Sequence, residues 1–152
     1  MIVGVVDAAA TRELRRSVLR PHFGPDDPLP GDELPPDLDA GGAVHFAATD
    51  TDGTVVATCF GYRDRCPWSP DLPAWHLRQM ATRPDRRGQG WGGRVTTVLL
   101  EQARRDGAAI VWCNARAEAV PFYARQGFEP HGEIFTDEEH TIPHQRMWRR
   151  LR

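Results

Sequence analysis

The stretch Arg87-Gly88-Gln89-Gly90-Trp91-Gly92-Gly93 carries the densest signal for chemistry in this chain. It follows a strand-like run over residues 75–82 and a basic turn at Pro84, and it opens a run with helical periodicity. Glycines remove Cβ atoms, so backbone N–H groups can close on an anion. A helix start adds unpaired N–H donors and a partial positive charge. Arg87 supplies a full charge on a planar fork suited to phosphate. Together these read as a diphosphate cradle.

Three phosphate-binding templates compete for the stretch. A Walker A loop ends in Gly-Lys-Ser/Thr, and the 19 basic residues are all Arg, so that template fails. A dinucleotide fingerprint matches literally as Gly88-x-Gly90-x-x-Gly93, but it also needs an acid about 20 positions on, at the end of the next strand. That strand ends at Cys113-Asn114, neither of them acidic. The third template, Arg/Gln-x-x-Gly-x-Gly/Ala, is met by Arg87 to Gly92.

The elements that must hold this loop follow from periodicity and turn residues. Strands are expected over residues 2–6, 43–49, 55–62, 75–82, 109–113, 128–135 and 144–151. Helices are expected over 12–19, capped by Thr11, over 90–105, and over 117–126, stopped by Gly127. Residues 21–42 are rich in Pro, Gly and acid and read as a long loop. The strand–helix–strand segment 75–113 implies two parallel neighbours with a right-handed crossover. The expected class is therefore α/β, with a mixed sheet of six or seven strands flanked by helices, in one domain over residues 1–152.

Composition removes other classes. A net charge of −2 gives no general attraction to nucleic acid or to a membrane surface. The three cysteines, Cys59, Cys66 and Cys113, form no close pair, and the six histidines show no ligand spacing, so neither disulfide nor metal is expected. No signal peptide or membrane-length apolar run is read, and a cytoplasmic compartment fits.

A second anchor is Ala119-Val120-Pro121-Phe122-Tyr123-Ala124-Arg125-Gln126-Gly127-Phe128. With the Arg87–Gly92 loop, it resembles the GCN5-related N-acetyltransferase (GNAT) superfamily, whose helix reads A-x-x-F-Y-x-x-x-G-F. A late Ile142-Pro143-His144, with Leu19-Arg20-Pro21, Gly31-Asp32 and His45-Phe46, is similar to one bacterial branch. The resemblance implies a fold with two splayed parallel strands, acetyl-CoA as donor and a primary amine of a small molecule or peptide as acceptor. It implies that backbone groups of Met80, Ala81 and Thr82 pair with the pantetheine, and that amides from Arg87 to Gly93 take the diphosphate. It places Asn114 at the splay and Phe122 and Tyr123 beside the coenzyme, Tyr123 being the general acid for the departing thiolate. A homodimer is left open.

The base is less marked. His76 aligns with the position where some relatives carry a catalytic Glu, and a histidine can accept a proton at neutral pH. Glu133 and His144 fall at one end of the final hairpin, and either could bind or deprotonate the amine. His140 and the acids Asp137 to Glu139, with the acidic residues 21–42, lean towards a cationic amine. His22 and His131 read as surface residues. Trp68, Trp75 and Trp91 are candidates to line the site, and Trp112 and Trp148 read as core. A CoA-binding sensor without turnover stays open as an alternative, and Tyr123 is the residue such a binder would not need.

Overall fold

The computed structural model describes residues 1–27, 29, 42–136 and 141–151. In chain order these form β1 (Ile2–Val6), α1 (Ala8–Leu19), β2 (Val44–Thr49), β3 (Val55–Arg63), β4 (Ala74–Thr82), α2 (Trp91–Arg105), β5 (Ile110–Arg116), α3 (Val120–Arg125), β6 (Glu129–Phe135) and β7 (His144–Arg150). Short 3₁₀ turns, Pro84–Arg86 and Ala117–Ala119, precede α2 and α3. The strands make one seven-stranded sheet of order β1-β2-β3-β4-β5-β7-β6. Only β4 and β5 pair in parallel. The mixed α/β class expected from the sequence is the one observed. Gly31, Asp32, Asp137 to Glu139 and His140 lie outside the described residues.

The start of α1 and the end of β5 differ from expectation by three residues or more, and 117–119 of the third expected helix is a 3₁₀ turn. α1 begins at Ala8, because Ala8-Ala9-Ala10 is strongly helix-forming and outweighs a cap at Thr11. The Thr11 hydroxyl instead donates to the Ala8 carbonyl at 2.9 Å. β5 runs on to Arg116 because β7 pairs with it throughout, from Ile110↔Arg150 to Arg116↔His144. Asn114 is therefore inside the strand.

The sheet has two unlike faces, because side chains alternate along a strand. Trp75 and Leu77 of β4, with Val111, Cys113 and Ala115 of β5, join Val95 and Leu99 of α2 in the main core. Val95 and Leu99 are fully buried, each stabilising the fold by about 1.5–3 kcal/mol. The alternate residues, His76 and Arg78 on β4 and Trp112, Asn114 and Arg116 on β5, point to the opposite face. α1 packs there against β3 and β4, with the Arg15 guanidinium 6.0 Å from the Phe60 ring centre.

One irregularity in β4 sets up the cleft. Gln79 has φ 53°, the one positive value for a non-glycine among the described residues. Across from it, Phe60 pairs with Arg78 but Thr58 pairs with Ala81, so β4 holds one extra residue, a bulge. The bulge inverts the alternation. Met80 now turns to the α2 side, where the Thr96 hydroxyl meets its sulfur at 3.7 Å. β4 and β5 pair only from Ala74↔Ile110 to His76↔Trp112, and the strands diverge beyond that point.

Candidate active site

The divergence opens a cleft of about 940 Å³. Its walls are β4 from His76 to Thr82, β5 from Trp112 to Arg116, the start of α2, and Phe122 and Tyr123 of α3. Past His76, β4 has no strand partner on its β5 side among the described residues. An extended ligand chain can therefore lie along it as an added strand.

That open edge leads to the start of α2. Gly90 is the cap residue, with φ 85°, and Gly88 has φ 77°. A Cβ at either would meet nothing within 4 Å, so their role is conformational. Gly92 serves close approach: a Cβ there would come within 2.9 Å of Met80 Cε and 3.2 Å of both Thr82 Oγ1 and Phe122 Cε1. Among the described residues, no amide from Gly88 to Gly93 donates to a backbone carbonyl. The first turn of α2 carries no acid. The amides and the helix dipole are thus available to an anion. Arg87 lines the cleft, is exposed and forms no ion pair among the described residues. Arg86 is committed to Asp50 at 2.8 Å. The Gln89 side chain turns from the cleft and accepts from Arg86 Nε and Trp91 Nε1, each at 3.1 Å. This donor set fits a diphosphate.

Tyr123 is positioned by the way α3 ends. Gly127, with φ 87°, lets its own amide reach the Ala124 carbonyl and the Phe128 amide reach the Tyr123 carbonyl, each at 3.0 Å. This double bond pattern closes with a contact between the Tyr123 and Phe128 rings, 5.5 Å apart. The Phe-Tyr-x-x-x-Gly-Phe spacing is the sequence form of that closure. Tyr123 is 5% exposed, lines the cleft, and its phenol makes no hydrogen bond among the described residues. Burial, with the nearby Cys113 and Cys59 thiols, holds the phenol protonated well above its ordinary 10.0. Burial likewise pushes the Cys59 and Cys113 thiols far up, so both stay inert core groups.

His76 is the last paired residue of β4 before the strands part. Its Nδ1 lies 3.2 Å from Asp64 Oδ2, and its ring stacks on Trp112 at 3.7 Å between centres. Trp112 Nε1 donates to the Asp64 backbone carbonyl at 3.0 Å, which fixes the loop that carries the carboxylate. A carboxylate on Nδ1–H leaves Nε2 as the basic nitrogen. His144 also lines the cleft, and its Nδ1 donates to the Ile142 carbonyl at 2.7 Å.

The structure does not bring Glu133 to this group. It is exposed on β6, the outermost strand, and the residue facing His144 is Phe135. The extra residues between His131 and Phe135 carry Glu133 off the regular ladder. The tryptophans also sort differently. Trp91 lines the cleft, but Trp75 is core, with Nε1 on Asp106 at 2.8 Å. Trp68 stacks on His131 at 4.7 Å, away from the cleft, so His131 is half-buried and not a surface residue. Trp112 both packs in a core and lines the cleft. Asp64 was not legible as a partner of His76, because 12 residues separate them and only the β3–β4 pairing joins their neighbours.

The chain matches the sequence profile of the Acetyltransferase (GNAT) family over residues 11–128. It belongs to that family. The seven-stranded sheet with parallel β4 and β5 is the GNAT fold, and the chain is an acyl-CoA-dependent N-acyltransferase. It is 28% identical over 133 residues to the uncharacterised N-acetyltransferase YitI of Bacillus subtilis, covering 88% of this chain and 85% of that one. Escherichia coli ElaA superposes with a TM-score of 0.72 at 20% identity, over 98% of this chain and 99% of that one. An aminoglycoside 6'-N-acetyltransferase complexed with coenzyme A also gives 0.72, at 13% identity, over 99% and 97% of the two chains. Among the described residues, no helix is long and apolar enough to cross a membrane.

Proposed function

We propose that this GNAT enzyme transfers an acetyl group from acetyl-CoA to the primary amine of a small molecule or peptide. One observation carries the reading: the unpaired edge of β4 beyond His76 runs directly to the uncommitted amides at the start of α2. The edge suits a pantetheine arm, and the amides with Arg87 suit a diphosphate.

Acetyl-CoA supplies an activated acyl thioester. His76, held by Asp64, takes a proton from the attacking amine at Nε2. A backbone N–H at the β4 bulge, near Met80, stabilises the oxyanion. Tyr123 gives its phenolic proton to the departing sulfur. Its raised affinity for that proton keeps the acid loaded throughout the neutral and mildly alkaline range. The test is thiol release from acetyl-CoA against a panel of primary amines. Release that depends on an amine supports transfer, and coenzyme binding without release from any amine rejects it.

Tyr123→Phe is expected to lower kcat by about a hundredfold, with coenzyme affinity changed less than about threefold. Because the folded state holds this proton more tightly than the unfolded chain, Tyr123 costs no stability at lower pH. Stability should fall only as pH rises above about 10. Rate–pH profiles of wild type and Tyr123→Phe should therefore lack any alkaline limb due to Tyr123 up to about pH 10. Equal kcat in the two proteins would remove Tyr123 from the reaction.

A further inference from the structure

Three arginines meet on the α1 side of the cleft. Arg20 follows α1, Arg78 stands on β4 two residues past His76, and Arg116 ends β5 opposite His144. All three line the cleft and are half-buried. Arg20 Nη1 and Arg116 Nη2 both donate to the Leu19 carbonyl, at 3.1 and 2.8 Å, which draws the two guanidiniums together. Arg78 Nη1 donates to the Tyr62 hydroxyl at 3.4 Å. Burial first, then the charges of Arg116 and Arg78, loosen the hold of Arg20 on its proton.

Some arginines elsewhere sit against acids: Arg63 against Asp106, Arg83 against Asp85, and Arg86 against Asp50. Among the described residues, none of Arg20, Arg78 and Arg116 has such a partner. Grouping like charges at half-buried positions opposes folding unless an anion is gained. The diphosphate cradle has its own donors beyond the Gln79 bulge, so the coenzyme diphosphate does not account for this cluster.

We propose that the acceptor is an amine that also carries an oxyanion, a carboxylate or a phosphate, seated on Arg20, Arg78 and Arg116. The inference rests on the acyl-transfer reading of the same cleft. Arg78 and His76 share a face two positions apart, about 7 Å along the strand. One small molecule can therefore place its anion on the cluster and its amine at His76, as an amino acid would. A cationic amine, towards which the acidic stretches lean, would gain nothing from these arginines.

The test titrates amino acids, their carboxamides, O-phosphoethanolamine and putrescine into the full chain with coenzyme A bound, and then follows turnover with acetyl-CoA. An acid or a phosphate should bind about 10- to 100-fold tighter than its neutral counterpart. The preference should collapse in Arg116→Gln and in Arg78→Gln and return in part in Arg78→Lys. Whether the amino acids or O-phosphoethanolamine gain more assigns the seat to carboxylate or to phosphate. Circular dichroism reports folding, and if Arg116→Gln does not fold, Arg78→Gln carries the same comparison. Equal binding of acids and carboxamides, or tighter binding of putrescine, overturns the proposal. Acid-selective binding with no transfer to any amine would uphold the seat and reject the acetyltransferase reading.

Discussion

An Arg87→Glu, Gly90→Glu double variant is expected to bind coenzyme A about a thousandfold more weakly than wild type. Each charge-assisted hydrogen bond lost contributes about 1.5–3 kcal/mol, and about 1.4 kcal/mol is tenfold in affinity. The variant also sets two carboxylates against a diphosphate. Folding should survive, since a Cβ at Gly90 meets nothing within 4 Å. The φ of 85° at that position adds strain of about 1–2 kcal/mol for any L side chain. Gly90→Ala separates the two effects: it introduces the strain without the charge and should lower the melting temperature by a few degrees while costing little affinity. Calorimetric titration with coenzyme A reads all three proteins. Wild-type affinity in the double variant would mean that the diphosphate lies elsewhere.

His76→Ala should reduce kcat by about a hundredfold or more while leaving the binding of acetyl-CoA within about twofold. The proposed base function rests on Asp64 holding Nδ1 at 3.2 Å and on the Trp112 ring fixing the imidazole plane. Because the residue is buried, at 8% exposure, truncation also leaves a small cavity, and a stability loss alone would mimic part of the effect. Added imidazole distinguishes these cases: it should restore part of the rate if the missing group is a base. His144→Ala is the comparison. Its Nδ1 donates to the Ile142 backbone carbonyl, a weaker acceptor than the carboxylate that meets Nδ1 of His76, so a smaller loss is expected. A larger loss at His144, or no rescue at position 76, would transfer the base role to His144.

Local rules made most of the fold readable. The runs that became β1 and β3 are rich in β-branched and aromatic residues, as strands are. Gly127 marked the end of α3 because a left-handed closing residue is nearly always glycine. The turn before α2, proposed to hold the diphosphate, was legible as a turn for the same reason: Gly88 and Gly90 occur where the backbone turns left-handed. Residues whose role depends on partners across the sheet were not legible. Asp64 needs the loop after β3 to return beside β4. Arg20, Arg78 and Arg116 come from three separate elements and converge only once β4 and β5 diverge. The bulge at Gln79 had no sequence signal, because an ordinary glutamine occupies the positive-φ position. Glu133 was misplaced because a regular hairpin was assumed, whereas β6 loses register between His131 and Phe135.

The most direct measurement is a titration of ¹⁵N-labelled protein with coenzyme A, followed through the backbone amides of Gly88, Gly90, Gly92 and Gly93. Hydrogen bonding to a diphosphate should move several of these four resonances downfield, with saturation at the calorimetric affinity. Dephosphorylated pantetheine, which lacks the diphosphate, should leave them nearly in place. Saturating coenzyme binding with all four glycine amides unmoved would show that the start of α2 does not hold the diphosphate.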